Sequence, residues 1–216
     1  MFKYLRIFSF LAIFVFVGCA SPTIYTKPEF SDVTKSHRKV AILPFTVNID
    51  SKNQSKDFTV EMARKAEKDE GYLFQQQIYA QFLKQQSKGR YTVDFQDVEY
   101  TNFLLRKGGI TYENIMNYTK SDLARKLGVD AVISGTIKRT KPMSGTGAAV
   151  LGILVGYWGS TNKVDVSLNL YGEKSNDLLW KYDHEASGSV GSSPERLAKS
   201  LMKGISKDFP YKRQRN

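Results

Sequence analysis

Cys19 is the only cysteine among 216 residues, and its surroundings define its chemistry more closely than those of any other side chain. Met1 to Arg6 is a basic start through Lys3 and Arg6, Phe8 to Val17 is almost unbroken apolar sequence, and small Gly18 precedes the thiol. That order predicts a secretory signal cut before Cys19. The apolar run is about 10 residues, short of the roughly 20 a spanning helix needs. A cysteine left at a new amino terminus can be acylated, and several buried acyl chains anchor a protein at about 0.8 kcal/mol per CH₂. Acid–base chemistry has fewer candidates, because the histidines are only His37 and His184. A Ser/His/Asp set would need His184 as its base. Asp183 and Glu185 flank it, but sequence neighbours on a strand point to opposite faces, so His184 reads as an exposed strand residue. Two histidines and no spare cysteine argue against a zinc site. Gly145 to Gly159 is glycine-rich but lacks the lysine of a phosphate loop. Carboxylates for glycoside hydrolysis are not singled out as a pair.

Phe16-Val17-Gly18-Cys19 resembles the lipobox of bacterial lipoproteins, with Phe16 where those signals usually carry Leu. The resemblance implies cleavage and lipidation at Cys19. An ordinary secretory peptide with a chance cysteine, or an uncleaved anchor, are the alternatives. Three regions are therefore expected: signal 1–18, lipidated tether 19–37, and an α/β domain over 38–216 carrying an insert at 142–161. The tether reading rests on Pro22, Pro28, Ser21, Ser31 and Ser36, scattered without apolar periodicity. His37 falls within it. No disulfide is available to the mature chain, so a core must hold it, and its length permits one. The full chain carries a formal charge of +11. Removing Lys3 and Arg6 leaves a basic mature protein, suited to anionic lipid or cell-wall material or simply to a solvated surface; nucleic acid is not an expected partner.

The elements behind the anchor follow from periodicity. Lys39 to Val47 is an apolar, β-branched run that fits a strand buried on both faces, with Pro44 ending or bulging its ladder. Val60 to Gln86 reads as helix, its first half charged, with a possible break at Gly71. Phe74, Ile78 and Phe82 then form a core stripe, with Tyr79 and Leu83 beside them. Tyr91 to Phe95 alternates as a strand. Residues 96–110 read as irregular or as a short helix around 102–106. Thr111 to Leu127 is helical in one or two pieces, with Gly128 at its C-cap. Asp130 to Ile137 is a second buried strand. Val164, Val166, Leu168 and Leu170 alternate with polar residues, and Leu178 to Tyr182 returns as the hairpin partner. Ser193, Pro194 and Glu195 open a last helix whose Leu197, Leu201, Ile205 and Phe209 face the core. The order β-α-β-α-β-β-β-α predicts an α/β fold with a single mixed β-sheet and packing helices.

Three blocks in that order carry a further resemblance: Val40 to Phe45, Ala124 to Ile137, and Leu178-Leu179-Trp180. Together they resemble envelope lipoproteins of the curli-secretion-channel type, penicillin-binding-protein activator lipoproteins, and the amino-terminal domain of the TolB translocation protein. Gly188 to Ser193 and Lys207 to Tyr211 look like envelope lipoproteins of the Bacteroides type. The first resemblance implies an anticodon-binding-like fold used for assembly or protein contact rather than catalysis. The secretion-channel family also inserts two amphipathic hairpins into the membrane, and no two such pairs occur in this sequence.

The insert at 142–161 is unusual because Gly145 to Gly159 contains no charge. Gly152 and Gly156 form a GxxxG pair, a spacing that lets helix backbones approach in membranes. Val150, Leu151, Gly152, Ile153, Leu154, Gly156, Tyr157 and Trp158 are the candidate membrane or partner contacts. They are either packed on the sheet or exposed as an apolar patch. The sequence thus predicts a lipid-anchored envelope protein with no catalytic residues, metal or cofactor beyond the lipid on Cys19. It should sit at the outer membrane facing the periplasm, since Ala20-Ser21 lacks the acidic residue that retains some lipoproteins at the inner membrane, by resemblance to enterobacterial sorting. Its partners would be the membrane and either another protein or further copies of itself. The rival readings are a ring-forming secretion component that inserts 142–161 in the membrane, and a cell-wall enzyme.

Overall fold

The computed structural model describes residues 22–49, 59–140, 163–187 and 193–213. Seven strands form one mixed sheet: β1 Thr23–Thr26, β2 Lys39–Ile42, β3 Thr46–Ile49, β4 Asp94–Phe95, β5 Ala131–Thr140, β6 Lys163–Gly172 and β7 Leu178–Ser187. Helices are α1 Phe30–Thr34, α2 Val60–Gln86, α3 Val98–Lys107, α4 Lys120–Leu127 and α5 Pro194–Asp208, with a 3₁₀ turn at Ile115–Asn117. The strand order is β1-β7-β6-β5-β2-β4, and β3 adds to β5 beyond the end of β2. β2, β3 and β4 run parallel to their neighbours, while β5, β6, β7 and β1 are antiparallel. The α/β fold with a mixed sheet and packing helices is as the sequence predicts.

Pro44 explains why β2 and β3 are separate. Ile42 pairs with Ile133 and Thr46 with Thr136, so three residues on this side face two on β5. Pro44 offers no N–H to the ladder. The next amide, Phe45 N–H, leaves the sheet and donates to Gly71 O of α2 at 3.2 Å. The Phe45 ring lies over Gly135 and packs edge-on against Phe74, with ring centroids 4.7 Å apart. Gly71 therefore does not break α2, which is continuous; it lets the helix touch the bulge.

The two sheet faces are covered differently. On one face, Phe74, Ile78 and Phe82 of α2 meet Leu197, Leu201 and Ile205 of α5 over Val40, Ile42, Ile133, Val166, Leu168 and Leu170. Leu83, by contrast, remains exposed. On the other face, α3 and α4 bring Leu105, Leu123, Ala124 and Leu127 onto Ala41, Leu43 and Val132. Gly128 caps α4 at φ 64°, the left-handed conformation that favours glycine.

Three expectations need correction. Residues 22–37 are not a free tether. β1 pairs with the outer edge of β7 from Thr23↔Asp183 to Thr26↔Trp180, and Phe30, Thr34 and His37 are buried. Pairing to an open sheet edge needs no apolar periodicity, so this segment escapes a hydrophobicity reading. The strand expected over Tyr91 to Phe95 shortens to Asp94–Phe95. Thr92 N–H instead donates to Tyr211 O at 2.9 Å, tying residues 90–92 to the C-terminal segment. The region 96–110 holds a full helix, α3, whose N-cap Asp97 accepts from Tyr100 N–H at 2.9 Å.

Candidate functional site

Cys19, the signal segment and the whole insert 142–161, including Val150 to Trp158, lie outside the described residues. What the structure gives is where the chain approaches and leaves them. β3 ends at Ile49, β5 at Thr140 and β7 at Ser187, while β6 starts at Lys163, all at one end of the sheet, here the upper end. The lower end holds the β6–β7 turn and the starts of β2 and β5. A ten-residue strand such as β6 puts about 30 Å between the two. β1 runs from upper to lower, so the chain comes into it from above, at Thr23 opposite Asp183.

Beyond α3 and α4, the same sheet face presents a polar surface. Asp165, Ser167 and Asn169 of β6 alternate with buried Val164, Val166, Leu168 and Leu170. Register aligns Thr136, Ser167, Asp183 and Thr23 in one row across four strands, and Lys138, Asp165 and Glu185 in the next. They line a shallow depression of about 430 Å³. Its carboxylates are partly committed: Asp183 pairs with Lys181 at 2.7 Å and Glu185 with Lys163 at 2.8 Å. His184, adjacent in sequence, follows Tyr182 instead, its ring 6.2 Å from the tyrosine ring. It is half-buried rather than exposed, and its Nδ1 meets no partner among the described residues. Burial lowers its pKa, against the pull of Glu185. Alternation thus separates the imidazole from the row containing Ser167.

His37 belongs to the lower end. Its Nδ1 lies 2.6 Å from the Tyr211 hydroxyl. Burial holds Tyr211 well above the usual phenol range and His37 below the usual imidazole range, and the direction of the bond between them is set by the imidazole tautomer. Behind the sheet, buried Arg139 donates to Glu70 Oε1 through Nε at 2.6 Å and through Nη2, joining β5 to α2. Replacing one partner of such a pair leaves an uncompensated buried charge.

A basic groove of about 840 Å³ also occupies the lower end, between the C-termini of α2 and α5. It was not foreseen from the sequence, because Lys88 and Arg90 meet Lys207, Lys212 and Arg213 only through the fold. Among the described residues no group of three His, Cys, Asp or Glu side chains is placed to hold a metal, and no helix is long and apolar enough to cross a membrane.

No family model and no curated protein matches this chain. Its structure is similar to several solved ones. Lipoprotein GNA1162 from Neisseria meningitidis is 15% identical, with 80% of this chain and 97% of that chain covered at a TM-score of 0.46. The PelC dodecamer from Paraburkholderia phytofirmans is 14% identical, with 90% and 99% covered at 0.41. The LpoB C-terminal domain from Salmonella enterica is 8% identical, with 74% and 93% covered at 0.37.

Proposed function

We propose that this chain is a lipid-anchored cell-envelope protein, attached through Cys19 at the outer membrane and facing the periplasm, that acts without catalysis as an assembly or binding module. The carrying observation is the direction of β1. Cys19 stands four residues before Thr23, a reach of at most about 14 Å. Thr23 pairs with Asp183, four residues short of the end of β7. The anchor is therefore within reach of the upper end, where β5 leads into the insert and β6 leads out of it. We assign that end, from which the described chain leads toward Cys19 and toward the uncharged stretch Val150 to Trp158, to the membrane or to a protein contact beside it, including further copies of this chain.

The test is Cys19→Ala in the producing cell, followed by fractionation. The variant is expected to move from the membrane to the soluble envelope fraction while remaining folded. A variant that stays membrane-bound would refute the anchor.

A further inference from the structure

We infer that the groove at the lower end binds an extended anionic polymer bearing phosphate or carboxylate groups, and does so on the side of the protein turned away from its anchor. Lys88, Arg90, Lys207, Lys212 and Arg213 line it, and Asp208 is the only carboxylate among its described lining residues. Some cations elsewhere in the described chain are paired, Lys27 with Asp177, Lys65 with Asp69, Lys68 with Glu113 and Arg125 with Asp122, while others, Lys107 and Lys126 among them, are not. None of the five groove cations forms an ion pair among the described residues.

Three of the five are held in place by neutral partners. Arg90 Nη1 donates to Gln85 Oε1 at 2.7 Å, Arg213 Nε to Tyr91 O at 2.9 Å, and Lys212 Nζ to Lys207 O at 3.3 Å. The segment carrying Lys212 and Arg213 is pinned by the bridge between Tyr91 and Lys212 and by Arg213 N–H on Arg90 O at 2.8 Å. Each guanidinium keeps donors for an oxyanion, and arginine forks suit phosphate and carboxylate.

The bland account of these cations is helix capping, since α2 and α5 both end here. Two helix C-termini supply about half a negative charge each. Together with Asp208 that offsets about two of five positive charges, leaving a surplus of about three for a ligand. A groove, rather than a protruding lysine plateau, suits a polymer strand better than a flat bilayer. Position argues the same way and rests on the Cys19 anchor: the groove lies about 30 Å of sheet away from the upper end.

The experiment uses the mature chain with Cys19→Ser, titrated with long-chain inorganic polyphosphate, with polygalacturonate, and with vesicles of phosphatidylglycerol. Its result does not depend on lipidation, so it fails independently of the anchor. The informative variant is Lys88→Gln with Lys207→Gln, because both ammonium groups are exposed and neither has a hydrogen-bonding role in the fold. Binding to at least one polymer is expected, weakened about tenfold by the double variant and with a shallower salt dependence. The control Lys107→Gln with Lys126→Gln, on α3 and α4, should bind as the parent does. Absence of polymer binding, equal loss in the control, or preference for vesicles over both polymers would each overturn the assignment.

Discussion

Gly71 shows how much can depend on one missing methyl group. In an ordinary helix interior, Gly→Ala gains about 1 kcal/mol. At this position an added Cβ would run into Phe45 O and lie 2.7 Å from the Tyr112 ring. Neither yields readily. Phe45 O belongs to a backbone fixed by Pro44, and the Tyr112 hydroxyl is engaged by Val47 N–H at 3.0 Å while donating to Glu67 O at 3.1 Å. Overpacking of this kind costs about 1–3 kcal/mol, which outweighs the propensity gain. Gly71→Ala is therefore expected to lower stability in urea unfolding; a variant as stable as the parent would mean the bulge is free to move. The sequence shows Gly71 within a helical pattern but gives no sign of Phe45, 26 positions earlier, which is why a break is the natural reading.

The elements were legible in proportion to how far each depends on its own core stripe. α2, β6 and α5 each carry a stripe sufficient to define them, and Phe74, Ile78 and Phe82, Val164 to Leu170 at alternate positions, and Leu197, Leu201 and Ile205 are buried as the periodicity expects. α3 has the spacing as well, with Val98, Thr101 and Leu105 buried, but polar residues dilute it. β1 and α1 have no such pattern because they are held by an edge and by the C-terminal segment. Phe30 packs against Tyr211 with ring centroids 5.2 Å apart. If residues 22–37 were only a spacer, Phe30→Ala would leave stability unchanged. The packing predicts instead a loss of about 3 kcal/mol, near the lower end of buried Phe truncations, read from a shifted urea midpoint with unchanged slope. The groove was illegible for a related reason: its charges sit on two segments more than a hundred positions apart, brought together by the packing of α2 on α5 and by contacts such as the bridge from Tyr91 to Lys212.

For the molecule as a whole, stability should depend on pH in two separate windows. Burial holds both histidines below their ordinary 6.5; Asp130 and Glu173 oppose this for His37, with Lys174 reinforcing it, and Glu185 opposes it for His184. Just below that value the unfolded chain binds more protons than the folded one, so stability rises with pH. The contribution is complete above about pH 6.5 and is lost as pH falls. Asp130 acts lower. Burial raises it, but Arg38 N–H at 2.7 Å and Lys39 N–H at 2.9 Å donate to its Oδ2 and the net shift is below 3.8. Its contribution is therefore lost only below about pH 4. The urea midpoint is expected to fall between about pH 7.5 and pH 5.5, before any carboxylate is protonated. A flat profile over that range would show that neither imidazole is linked to folding.

The seating of β1 on β7 also decides how the protein carries load. For a chain held at Cys19 and engaged at the lower end, tension enters at Thr23 and is directed along the strand axis, opposite to the path the chain takes to Thr26. Such a pull slides β1 along β7 and stretches their hydrogen bonds together, like a lap joint in shear. It does not open them one after another, like a zip. Beyond Thr26 the load passes to Lys27, whose N–H is bonded to Leu179 O at 2.9 Å and whose ammonium is paired with Asp177. A segment that looks like slack rope in the sequence is thus, in the fold, the fitting by which the rope is made fast.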